Sequence, residues 1–84
     1  MTPLFSPQRL ASLVSKHAPT LAKAAADKYG VDEKTMTVLP DEAFESESEP
    51  GTLCVIFQHP TGLYSVSAKV LEGDVLDHTI VNHI

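Results

Sequence analysis

The sequence predicts an α+β domain, an N-terminal helical layer packed on an antiparallel meander of three to four strands. Three observations carry this. Apolar residues between positions 6 and 29 recur at three- and four-residue spacing. From residue 52 onward the chain alternates in strand-like runs. Those runs are separated by two short turn signals, His59-Pro60-Thr61-Gly62 and Glu72-Gly73-Asp74. At 84 residues, 43% hydrophobic and 20% charged, the chain reads as one small domain, 1–84, helical over 6–29 and sheet-forming over 35–83. A chain this short buries only about 60–65% of its unfolded surface, so a site belongs on the surface or at an interface rather than in a large cavity.

The helix opens on Ser6, a good N-cap, with Pro7 at the first helical position, where its missing N–H costs nothing. Leu10, Leu13, Val14, His17, Leu21, Ala24 and Ala25 form its apolar stripe, and Gly30 is a ready stop. Pro19 removes a helical hydrogen bond and disfavours helical geometry at Ala18. A break or sharp kink is therefore expected there, with Thr20 available to cap a second helix over 21–29. Arg9, Lys16, Lys23 and Lys28 stand against Asp27 alone, so this is the basic half of the chain.

Thr35 to Leu39 alternates hydroxyl and apolar residues until Pro40 interrupts it. The segment 41–51 is acidic and ends in a Pro-Gly turn signal; Ala43 to Ser48 reads either as a solvated loop or as an edge strand whose charges discourage pairing. Three further strands follow: Thr52 to Gln58, Leu63 to Leu71 and Val75 to His83.

With Pro60 and Thr61 at the tip of an even loop, Phe57 faces Tyr64, Val55 faces Val66 and Leu53 faces Ala68, all on one apolar face. An odd loop would bury Ser65 and Ser67, and a one-residue slip flips every side chain, so the even loop is preferred. For the next turn, a three-residue loop Glu72-Gly73-Asp74 sends Leu76, His78 and Ile80 inward and Val75, Asp77, Thr79, Val81 and His83 outward. The even alternative buries Asp77 without a partner. The outer face then groups Ile56, Leu63, Leu71, Val75 and Val81 around Ser65, Ser67 and Lys69. Such a group marks an interface or is covered by another element, for which the loop 40–51 with Phe44 is the candidate.

The formal net charge of −5 is localised. Asp41, Glu42, Glu45, Glu47 and Glu49 lie in one stretch with no basic residue, and the remainder of the chain is balanced at six acidic and six basic residues. No basic field exists to hold a phosphate backbone, so direct nucleic-acid binding is not expected. The longest strictly apolar run, Leu53 to Phe57, is far too short to span a bilayer, and no basic n-region precedes an apolar stretch at the start of the chain, so neither a membrane nor a signal peptide is expected. The single cysteine forms no internal disulfide and gives no sign of an oxidising compartment, which places the chain in the cytoplasm.

Chemistry-bearing motifs are scarce. The four histidines, His17, His59, His78 and His83, lack zinc-ligand spacing. His78 and His83 point to opposite faces of a flat strand, and Asp77 and His83 lie about 20 Å apart along it. Cys54 sits in an apolar run that keeps a thiol inert, and neither His59 nor Ser67 makes a convincing dyad with it. There is no nucleophile elbow, no glycine-rich phosphate loop and no pair of carboxylates flanking a cleft. No enzyme activity, metal or cofactor is expected.

The remaining feature is the acidic segment. A charge run is ordinarily a solvated loop, but a purely solvating loop gains nothing from an aromatic, and Phe44 lies in its middle. The expectation is a protein-binding module, a small acidic inhibitor or neutralising partner of a basic, nucleic-acid-handling or toxin protein, acting through Asp41, Glu42, Phe44, Glu45, Glu47 and Glu49. The alternative is a structural homodimer or larger homo-oligomer assembled through Ile56, Leu63, Leu71 and Val81. A small-ligand-binding domain or enzyme using His59, His83, Asp77 or Cys54 ranks third.

Overall fold

The structure, a computed structural model, describes residues 4–84. Helix α1 (Pro7–Tyr29) leads through a 3₁₀ turn (Glu33–Thr35) into strands β1 (Thr37–Glu45), β2 (Thr52–His59), β3 (Gly62–Leu71) and β4 (Val75–His83). The four strands form one antiparallel sheet in the order β1-β2-β3-β4, with α1 packed across one face: an α+β fold. Among the described residues no helix is long and apolar enough to cross a membrane.

Both helix ends follow the sequence. The Ser6 side chain accepts from the Arg9 N–H at 3.1 Å, and Gly30 closes the helix in a left-handed conformation, its N–H donating to the Ala26 carbonyl. The break expected after Pro19 does not occur; α1 runs through it as one element. Pro19 and Ser15 both face solvent, so the carbonyl that loses its helical partner can bond water. Leu13, Val14 and His17 on one side of the proline and Leu21, Ala22 and Ala25 on the other are buried against the same sheet. Burial of Leu21 alone is worth about 1.5–3 kcal/mol, comparable to the roughly 3 kcal/mol that an interior proline costs, and the alanines tip the balance to continuity.

The β2–β3 register is the expected one: Phe57 pairs Tyr64, Val55 pairs Val66 and Leu53 pairs Ala68, all buried under α1. The core is built from this double row, the helix stripe and Met36.

The outer strands depart from expectation through bulges. Pro40 does not end β1. Leu39 pairs Ile56 and Phe44 pairs Cys54, so Pro40 to Ala43 stand opposite Val55 alone. Proline cannot donate to a ladder; the chain loops out there and pairs again at Phe44. The first part of the acidic segment is therefore edge strand, and the rest, from Ser46 to Pro50, is turn.

In β4 the three-residue turn places Leu71 against Val75 and Lys69 against Asp77, with Leu76 inward and Asp77 outward as expected. Beyond this the expected alternation fails. Ser67 pairs Ile80, so His78 and Thr79 stand opposite Ala68 alone, and His78 takes a left-handed φ of 52°. The extra residue reverses the parity of the strand. His78 is expelled to solvent instead of pointing inward, Ile80 turns outward at 56% exposure, and Val81, expected on the outer face, is buried at 5% beside Val66. His83 moves with it, to the face of its pairing partner Tyr64. A flat strand would have buried His78 next to Leu76. The bulge exchanges an imidazole for valine in the core, at the cost of one left-handed residue, about 1–2 kcal/mol.

Both sheet edges are blunted. On β1 the Pro40 bulge interrupts the edge. On β4 the Lys28 ammonium donates to the Val81 carbonyl at 2.6 Å, and the His83 N–H donates to the Tyr29 hydroxyl at 3.0 Å. These contacts occupy backbone groups that would otherwise template another strand.

Candidate functional site

Asp41 and Glu42 lie in the β1 bulge, and Glu47 and Glu49 on the β1–β2 turn; all four are exposed, and none forms an ion pair among the described residues. The turn is ordered by its own bonds. Ser46 Oγ lies 3.1 Å from Ser48 Oγ and accepts from the Glu49 N–H at 3.3 Å, while the Thr52 N–H reaches the Glu49 carbonyl and the Ser46 N–H the Thr52 carbonyl. Phe44 does not fold over the sheet. It stands on the outer face opposite Cys54, 51% exposed, and it is Ala43 that packs against the core.

Glu45 differs from the other four carboxylates. It pairs Leu53, and its side chain accepts three backbone N–H groups, from Phe5 at 2.9 Å, Leu4 at 3.1 Å and Gly51 at 2.7 Å. Partial desolvation acts to raise its pKa, but the bonds from Phe5, Gly51 and Leu4 together outweigh it and hold the carboxyl below its ordinary value. The carboxylate thus faces the protein and is not displayed.

Across the outer face runs a trough of about 560 Å³. Its floor is Thr52, Cys54, Ser67 and Lys69; one wall is the turn with Ser46 and Glu49, the other β4 with His78, Ile80 and Asn82. Cys54 Sγ lies 3.4 Å from Ser67 Oγ and is 8% exposed, with no imidazole in hydrogen-bond reach; His78 is turned to Asp77 at 3.4 Å. Among the described residues Cys54 has no nucleophile–base pairing.

Of the residues expected to make an apolar outer face, Ile56, Leu63, Leu71 and Val75 lie there and Val81 does not. Ile80 takes its place. The sequence carries no signal for this, because the bulge that turns Ile80 outward rests on one backbone angle at a histidine.

A second cluster lies at the end of the sheet beside the C-terminal end of α1. The Tyr64 ring has His83 at 4.5 Å, Tyr29 at 5.0 Å and His59 at 5.8 Å between centroids. The Thr61 N–H donates to His59 Nδ1 at 3.1 Å, so that nitrogen accepts, and Thr61 Oγ1 bridges on to the Tyr64 hydroxyl at 3.1 Å. Gly62 is required here, since a Cβ at its φ of 136° would lie 3.1 Å from His83 Nε2. His59 and His83 are thus separated by a tyrosine ring, and Asp77 lies far along β4. Among the described residues no three His, Cys, Asp or Glu side chains are grouped to hold a metal ion.

Compared with protein-family models, with curated proteins and with solved structures, the chain matches none.

Proposed function

We propose that this chain is a protein-binding module that meets a partner with a basic surface and inhibits or neutralises it, acting in the cytoplasm. The observation that carries the reading is the arrangement of Asp41, Glu42, Glu47 and Glu49: four exposed carboxylates without ion pairs among the described residues, placed along one edge of a bare sheet face beside exposed Phe44. Carboxylates so displayed steer a basic partner to the face, and an aromatic at their centre supplies an apolar anchor. Glu45 belongs to the support of this surface rather than to the surface itself. The buried free thiol of Cys54 agrees with a reducing compartment.

The test is capture from an extract of the native host, with the chain reversed to lysine at positions 42, 47 and 49 as control. A partner retained by the natural chain, lost by the reversed one and released by salt supports the reading. Equal capture by both chains, with no salt dependence, sinks it.

A second reading, a homo-oligomer assembled face to face, is favoured by one observation. Both edges are blunted while Leu63, Leu71 and Ile80 remain exposed on the outer face. Light scattering at high concentration decides it. A monomer removes this reading, and a dimer dissociated by Ile56→Lys supports it.

A further inference from the structure

We propose that the ionised carboxylate of Glu45 is an acid-sensitive latch that ties the segment before α1 to the β1–β2 turn and so positions Glu47 and Glu49. Its donors come from two places far apart in the chain. Leu4 and Phe5 lie 41 and 40 residues before it, and Gly51 six residues after it, beyond the turn. Oε2 takes Leu4 and Gly51 together, and Oε1 takes Phe5, so one side chain bridges the N-terminal segment and the end of the turn. The Leu4 side chain lies over Gly51, where an added Cβ would find Leu4 Cδ1 at 3.5 Å. Phe5 in turn packs against the core, and the Arg9 guanidinium lies over its ring.

The latch needs the charge. An ionised carboxylate offers acceptor positions on both oxygens, whereas the neutral acid turns one oxygen into a donor that opposes a facing N–H. The charged groups around Glu45 do not supply a substitute. On its own strand and turn stand Asp41, Glu42, Glu47 and Glu49, all of like sign. β2, which pairs with it, carries His59 at its far end as its only basic side chain. On α1, Arg9 is engaged by Asp74 at 2.7 Å. Among the described residues no cation lies within ion-pair distance of Glu45, and the N–H groups of Phe5, Gly51 and Leu4 are what hold it ionised. Because its folded-state pKa lies below the ordinary 4.5, the latch is complete above that value and opens as pH falls through the lower folded-state one.

Amide hydrogen exchange on the full chain tests this, for the natural sequence from neutral pH down to about pH 3 and for Glu45→Gln at neutral pH. The expected result is a joint loss of protection at Leu4, Phe5 and Gly51, on the order of tenfold after correction for intrinsic exchange. It appears in Glu45→Gln at neutral pH and in the natural chain on acidification, with Val55 and Val66 still protected. The natural chain alone decides the matter if the variant does not fold: the Glu45 carboxyl carbon and the Gly51 amide shift must then titrate with one midpoint. Separate midpoints, or three amides that stay protected in Glu45→Gln, overturn the latch. Its bearing on affinity rests on the protein-binding reading. Exchange decides the latch and lysine reversal at 42, 47 and 49 decides that reading, so the two fail separately.

Discussion

Lys28, in the last turn of α1, donates from its ammonium to the main-chain carbonyl of Val81 at 2.6 Å. The side chain leaves the helix end, crosses the Tyr29 ring at 5.6 Å and occupies an acceptor on the open edge of β4. One residue on, the Tyr29 hydroxyl takes the His83 N–H. The helix thus covers the sheet in two ways, with its apolar stripe on the inner face and with its final two side chains on the edge. The outer face is what remains for a partner.

Lys28→Met keeps the aliphatic stem and removes the donor. The Val81 carbonyl then loses its charged partner, and a stability loss of about 1 kcal/mol is expected in urea unfolding. Self-association should rise as well, because the edge is freed. An unchanged midpoint would mean that water replaces the ammonium without cost.

The β4 bulge makes opposite predictions for adjacent residues. Val81→Ala should cost about 1–3 kcal/mol, since Val81 is buried beside Val66, while Ile80→Ala should stay within about 0.5 kcal/mol. A flat strand predicts the reverse order, so urea midpoints of the two variants decide the register.

Pro19→Ala restores an N–H to the interior of α1 at an exposed position. Stability should rise by about 1–3 kcal/mol, the interior proline penalty less the added freedom of the unfolded chain. Thermal unfolding followed by circular dichroism measures it. A decrease would show that Pro19 fits the native backbone better than alanine does.

His17 is buried in the apolar stripe at 9% exposure, and its Nε2 has no hydrogen-bond partner among the described residues. His17→Leu removes an unsatisfied polar atom and keeps the volume close. A gain of about 1 kcal/mol is expected. A loss of similar size in chemical denaturation would indicate that the imidazole is held by water.

Inner strand pairing, helix ends and the localisation of charge were legible from the chain because each depends on short-range rules. Ser6, Pro7 and Gly30 act within one turn of the helix, and the two-residue tip at Pro60-Thr61 sets which of Leu53, Val55 and Phe57 meets which of Tyr64, Val66 and Ala68. Alternation then does the rest, because the apolar face must be buried. The acidic stretch could be located, but not divided into displayed and internal members. Glu45 has the same sequence surroundings as its neighbours. Only the arrival of Leu4 and Phe5 from the far end of the chain distinguishes it.

The sequence by itself determined an α+β chain, its central hairpin and one acidic edge. Tertiary structure alone decided three things: that α1 crosses Pro19 unbroken, that a bulge at His78 exchanges Ile80 for Val81, and that Glu45 turns inward. The reason is common to all three. Proline's missing donor and a histidine's positive φ each cost about 1–3 kcal/mol, and a carboxylate ordinarily keeps its water. Each is outweighed by contacts between residues distant in sequence, which no local pattern records.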